Sequence, residues 1–351
     1  MTSDAPPHFD FMATGIGSVP FLDIEDTCRL ILKYVPEAPC WPQFVKCNAL
    51  EDMIIQYSEG LPLLEIVEKK RALIVSPTGN RESELLTFYD RFLADDTAHF
   101  AISPQFAAGL HAMLKLIGDA ADGGPSFVKG QSTGPITFAA RISDTNGNPV
   151  LFNPELLEAM TRGLAIKALW QVRQLENCGD RVILFLDEPY LSGFGSAFTS
   201  VSREVVVENL RFIVDYLKER TNCLVGIHCC GNTDWPMILE AGPHIVNFDA
   251  FEYMDFFLLY PREIRQFIEN GGTIAWGIVP TSGMTGEASV DNLRSKLDAG
   301  IGRLADWGID PRLASQRSIL TTSCGMGSMT PAEAENAFSL LSRLSNKMKD
   351  D

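Results

Sequence analysis

The run Val182-Ile183-Leu184-Phe185-Leu186-Asp187-Glu188-Pro189 packs five apolar residues without a break, then turns to two carboxylates and a proline. An apolar run this short, bounded by turn chemistry, reads as a strand buried on both faces, the kind found in parallel sheets. Upstream, Asn153-Pro154 supplies an N-cap and a proline at the first helical position. Leu156, Met160, Leu164, Ala168, Val172 and Leu175 then form one apolar stripe that Gly179 is expected to close. Helix followed by buried strand is the βα alternation of a parallel sheet.

The alternation recurs along the chain. Candidate strands are 11–16, 43–47, 126–130, 182–186, 223–227, 245–248, 273–278 and 318–322. That makes eight, the number that closes a (β/α)8 TIM barrel. Ala72–Val75 competes for a strand and fits a hairpin inserted after the second one. Pro261 opens a helix that Gly271-Gly272 ends, and Thr330, Pro331 and Glu333 form a capping box for the last helix. The stretch 79–124 reads as a mainly helical excursion. No linker or repeat divides the 351 residues, so one barrel domain over 1–351 is expected.

Composition excludes several functions. A formal charge of −16 repels phosphate backbones and anionic bilayers, so neither nucleic acid nor a membrane is the expected partner. The first ten residues have no basic segment leading into an apolar one, and no apolar run approaches the ~20 residues of a membrane span. With eight cysteines spread over the chain, free thiols or metal ligands are expected over disulfides, in a cytoplasmic protein.

Polar residues fall just after the candidate strands: Ser18, Thr133, Asp187, His228 with Cys230, Asp249 and Cys324. A barrel gathers all these strand ends on one face, where active sites form. In Val225-Gly226-Ile227-His228-Cys229-Cys230-Gly231, extended-chain alternation turns His228 and Cys230 one way and Cys229 the other. A strand-end histidine beside cysteines is often only a packed core group, but Cys324, at the end of the eighth strand, adds a second thiol. One imidazole, two thiols and the Asp249 carboxylate suit one tetrahedral Zn2+ per chain and disfavour Mg2+ or Ca2+. Such an anionic ligand set activates a substrate thiol as thiolate rather than making hydroxide.

With these residues in place, the chain resembles the C-terminal catalytic half of cobalamin-independent methionine synthase, from Thr14 to about Met348. The motifs are Ile16-Gly17-Ser18, Val128-Lys129-Gly130, Thr133-Gly134-Pro135-Ile136-Thr137, Asp187-Glu188-Pro189, His228-x-Cys230, Asp249 and Cys324-Gly325. The resemblance implies a zinc site at His228, Cys230, Cys324 and Asp249, where the family usually has Glu; Glu252 is the nearby alternative. It also implies homocysteine held by Ser18, the backbone of Ile16-Gly17, and Asp187. The plain reading of Asp187-Glu188-Pro189 is helix capping, and Thr133-Gly134-Pro135 fits a tight turn. The family's second-strand Glu has no secure counterpart; Cys47 or Asn48 stands there, with Glu51 one turn on.

Three departures follow from the same comparison. A second barrel has no room here. Arg141 replaces a folate-stacking Trp, and Val279 replaces a His after the seventh strand. The expectation is therefore homocysteine methylation from methylcobalamin or a methylated corrinoid protein, not methyltetrahydrofolate. A corrinoid:coenzyme M-type methyltransferase and a non-catalytic zinc- or corrinoid-binding module are the alternatives.

Overall fold

Seven strands pair in parallel as one curled sheet. They are β1 (Met12–Ala13), β4 (Phe127–Thr133), β5 (Arg181–Asp187), β6 (Leu224–Cys229), β7 (Ile245–Phe248), β8 (Thr273–Val279) and β9 (Ser318–Thr322), in the order β1-β9-β8-β7-β6-β5-β4. The computed structural model describes residues 6–119, 124–196, 200–282 and 288–350. Residues 1–5 of the polar N-terminus and 120–123 of the helical excursion lie outside the described residues.

The gap between β4 and β1 is closed by residues 37–43. On one side Phe127 N–H donates to Glu37 O (2.9 Å) and Lys129 N–H to Pro39 O (2.9 Å). On the other, Gln43 N–H donates to Gly17 O (3.0 Å) and Val19 N–H to Gln43 O (3.0 Å). This is the second staves' position of a TIM-barrel-like α/β fold. It overlaps the expected strand at 43–47 only at Gln43, after which the chain turns, closed by Cys47 N–H on Phe44 O (2.9 Å). Pro39 and Pro42 explain the thin pairing, since each lacks the N–H a ladder needs.

Ala72–Val75 is β3, antiparallel to β2 (Leu64–Val67) in the hairpin inserted at this point. The helical excursion contains helices Arg81–Leu93 and Ala108–Gly118. Helix Pro154–Leu175 is capped by Asn153, whose Oδ1 accepts from Leu156 N–H (3.2 Å); it stops at Leu175, short of Gly179. Thr330 and Glu333 form the reciprocal capping box of helix Pro331–Lys349. No helix among the described residues is long and apolar enough to cross a membrane, and all eight cysteines are free.

Side chains that point into the barrel change character along its axis. The lower layer is apolar: Met12, Phe127, Ile183, Phe185, Ile245, Ala275 and Ile319, with Phe9 entering from below against Phe127 (ring centroids 5.3 Å apart). Gly226 belongs to this layer because a Cβ there would collide with the Phe185 ring. Two and four residues further along β4, and two further along β7 and β9, the same face carries Lys129, Gln131, Asn247 and Thr321, all buried. The floor is apolar and the upper half polar.

Candidate active site

The polar residues of the upper half converge at the C-terminal ends of the strands. His228 is the fifth residue of β6 and buried; Cys230 follows that strand, and Cys324 follows β9. One ligand atom from each of the three lies within 4.8 Å of the other two. That spacing is loose but near what tetrahedral zinc at ~2.0–2.3 Å from each donor requires. His228 interacts with the Cys230 thiol, and its Nδ1 is buried without a hydrogen-bond partner. One further feature fits a cation. The two thiols compete for a proton: a hydrogen bond from Cys324 and the adjoining His228 hold Cys230 well below the usual thiol range despite burial. Against that neighbouring thiolate, the Cys324 thiol is pushed far up. Burial lowers His228, but its bond to Cys230 and the Asp187 carboxylate outweigh it and raise the imidazole.

Cys229 faces the other way. It is wholly buried in the outer core, with its thiol on Gly231 O (3.6 Å) and pushed far up by burial.

Asp249 lies at the edge, outside the three-residue cluster. It is the N-cap of helix Ala250–Phe257, and its Oδ1 accepts from Glu252 N–H (2.9 Å). Burial, reinforced by Glu252 and Cys230, pushes its carboxyl up to about 6. Glu252 is exposed on the next turn and is not in the cluster either.

Asp187 ends β5 and pairs in register with His228. Its Oδ1 is buried and unpartnered, and burial raises the carboxyl although Lys129 and His228 pull it down. Ser18 stands across the mouth beside the Cys324 loop: its Oγ accepts from Gly327 N–H (3.4 Å) and its carbonyl from Met326 N–H (2.8 Å). Gly17 precedes it because a Cβ would run into Gln43 and Gln131. A carboxylate, a hydroxyl and backbone groups thus surround the histidine and two thiols.

Glu188 turns away from the mouth. It is wholly buried and accepts from Ile136 N–H (2.9 Å), Thr137 N–H (2.7 Å) and Thr137 Oγ–H (2.6 Å), capping helix Pro135–Arg141. Glu51 is also a buried structural acceptor, for Phe44 N–H (2.7 Å), while Asn48 caps Leu50 and Cys47 is exposed. Arg141 is exposed at the helix end. Val279 is wholly buried, its carbonyl accepting from Ser323 N–H (2.8 Å).

Two interior residues carried no role in the sequence reading. Lys129 is wholly buried; its Nζ donates to Ile16 O and to Gln131 Oε1 (3.1 Å) and lies 4.7 Å from the Phe185 ring centroid. Asn247 is equally buried, in register with His228. Two-residue alternation inward from Phe127 and Ile245 would have flagged both.

No protein-family model matches the sequence, and no curated protein matches it. Among solved structures, the chain is similar to a B12-independent methionine synthase from Shewanella sp. W3-18-1 in complex with selenomethionine. The identity is 14%, the match covers 97% of this chain and 98% of that one, and the TM-score is 0.62. An uncharacterized protein (15% identity, 74% and 71% covered, TM-score 0.29) and A. niger ochratoxinase (15%, 73% and 67%, 0.28) align too poorly to inform the fold. From end to end, this chain has the fold of a cobalamin-independent methionine synthase core.

Proposed function

We propose that the chain is a methyltransferase that moves a methyl group onto the thiol of homocysteine to form methionine, using zinc. The observation that carries this reading is the triad His228, Cys230 and Cys324 at the barrel mouth, beside the Asp187 carboxylate. These three residues would hold the ion, with Asp249 or the incoming thiol as fourth donor. Zinc so bound would supply the acidity that leaves a coordinated thiol as thiolate at neutral pH.

The chain's own residues orient the acceptor. Asp187, partly exposed at the mouth, suits the substrate ammonium. Ser18 and the backbone of Ile16-Gly17 suit its carboxylate. The sulfur is then held over a closed apolar floor and faces only the open end. This two-point grip favours homocysteine over coenzyme M, which has no ammonium.

The donor we propose is a methylated corrinoid, free methylcobalamin or a corrinoid protein docked at the mouth. Transfer from N5 of methyltetrahydrofolate needs that nitrogen protonated and the pterin held, usually by an aromatic ring. Arg141 and Val279 supply neither. Attack on methylcobalamin forms the S–C bond and breaks Co–C, whose electron pair stays on cobalt, so no proton is needed by the leaving group. Eight unpaired thiols point to a reducing compartment, and we place the protein in the cytoplasm.

The test is an anaerobic assay of the zinc-loaded protein with each donor against homocysteine and coenzyme M. Methionine from methylcobalamin, with little or none from methyltetrahydrofolate, is expected. Efficient turnover of methyltetrahydrofolate without corrinoid would refute the donor assignment, and metal binding without any methyl transfer would leave a storage module.

A further inference from the structure

Three buried side-chain atoms on neighbouring strands have no hydrogen-bond partner: Asp187 Oδ1 on β5, His228 Nδ1 on β6 and Asn247 Oδ1 on β7. They belong to register partners, Asp187 opposite His228 and His228 opposite Asn247. Register partners on parallel neighbours point to the same face, so the three face the interior together. The Asn247 amide has a fixed sense. Its Nδ2 donates to Ala275 O (2.8 Å) and Thr321 Oγ1 (2.9 Å), on the β8 and β9 side, which turns Oδ1 back toward β6. Left dry, such atoms cost ~1–3 kcal/mol each, and buried polar groups of native proteins are instead joined by protein or by ordered water.

We infer that the three atoms bind one ordered water, which fixes the tautomer of His228. The hydrogen count leaves one arrangement. Amide and carboxylate oxygens only accept, so both water hydrogens go to Asp187 Oδ1 and Asn247 Oδ1. The water oxygen then accepts from Nδ1–H of His228. The imidazole therefore keeps a proton on Nδ1, and Nε2 is the nitrogen left to bind a metal. Ligating histidines characteristically donate their second ring N–H in this way. Asn247 is thus a positioning residue that acts through His228. The water stands on geometry alone; its consequence for metal binding rests on the zinc centre proposed above.

A high-resolution crystal structure of the metal-free protein tests the water. Density within about 3.2 Å of all three atoms is expected, and none there overturns the inference whatever the protein binds. Zinc competition against a chelator tests the consequence. Asn247→Leu should weaken zinc about 10- to 100-fold. Native affinity in a folded Asn247→Leu protein counts against the inference. If that variant does not fold, nitrogen-15 spectra of the zinc-loaded unmutated protein decide: metal on Nε2 supports it and metal on Nδ1 overturns it. A protein that holds the water but takes up no zinc refutes the proposed function and leaves the water site standing.

Discussion

Glu188 is bound to Thr137 twice, by the backbone N–H (2.7 Å) and by the hydroxyl (2.6 Å). The pair ties the end of β5 to the helix that follows β4, so two motifs some fifty residues apart form one unit beneath Asp187. Burial pushes the Glu188 carboxyl up to about 7 even with these donors, so the group depends heavily on each of them. Thr137→Val removes that hydroxyl donor and, with it, the acceptor of Tyr190 N–H (3.1 Å). It should cost ~1.5–3 kcal/mol of stability, the range for a hydrogen bond to a charged group. Urea unfolding checks this, and an unchanged midpoint would contradict it.

The thiols separate by facing. Cys230→Ser and Cys324→Ser should each abolish stoichiometric zinc after dialysis against a weak chelator, with the secondary structure retained because the barrel core is independent of the triad. Cys229→Ser should keep one zinc per chain, since its thiol lies in the outer core. Metal analysis with circular dichroism reads all three. Loss of zinc in the Cys229 variant alone would reverse the ligand assignment.

Asp187 gives a test of acceptor recognition. Asp187→Asn should raise KM for homocysteine roughly 10- to 150-fold, the equivalent of ~1.5–3 kcal/mol. With 4-mercaptobutanoate, which lacks the ammonium, mutant and unmutated protein should differ little. A parallel loss on both thiols would mean that Asp187 acts on the metal centre rather than on the ammonium.

Lys167 offers a pH signature far from the mouth. It is wholly buried in helix Pro154–Leu175, its Nζ on Phe100 O (3.1 Å), and burial lowers it to about 7 with only Glu59 opposing. Unfolded, it titrates near ~10.4. Between those values the unfolded chain binds the proton and the folded one does not, so this residue's share of stability rises with pH. Below pH 7 both states hold the proton and the slope vanishes. Lys167→Met should lack the rise, falling behind the unmutated protein by a few kcal/mol, on the order of the shift, from pH 7 to 10. A stability difference constant over that range would refute the assignment.

The barrel was legible because buried parallel strands announce themselves as short apolar runs, and β7 and β9 fell at their expected bounds. The second strand position was not. Its prolines break the ladder, and half of its pairing depends on Phe127 and Lys129, some ninety residues away. At the mouth, period-two alternation foretold which cysteine joins His228. It did not foretell that Asp249 would be drawn into capping Glu252, although an aspartate just before a helix is the usual N-cap. Lys129 escaped because a lysine flanked by valine and glycine reads as a strand end, whereas its charge is satisfied inside the barrel by Ile16 O and Gln131.

The chain before β1 runs beneath the sheet, with Phe9 N–H on Gln316 O (3.0 Å), Pro7 O held by Arg317 (2.8 Å) and the Phe9 ring driven up against Phe127. The barrel is therefore a cup with a sealed base. For the proposed reaction this sets a stacking order: the amino acid sits at the bottom and the bulky donor covers it like a stopper. The last to arrive is the first to go, so the acceptor binds ahead of the donor, and the spent corrinoid departs before methionine can.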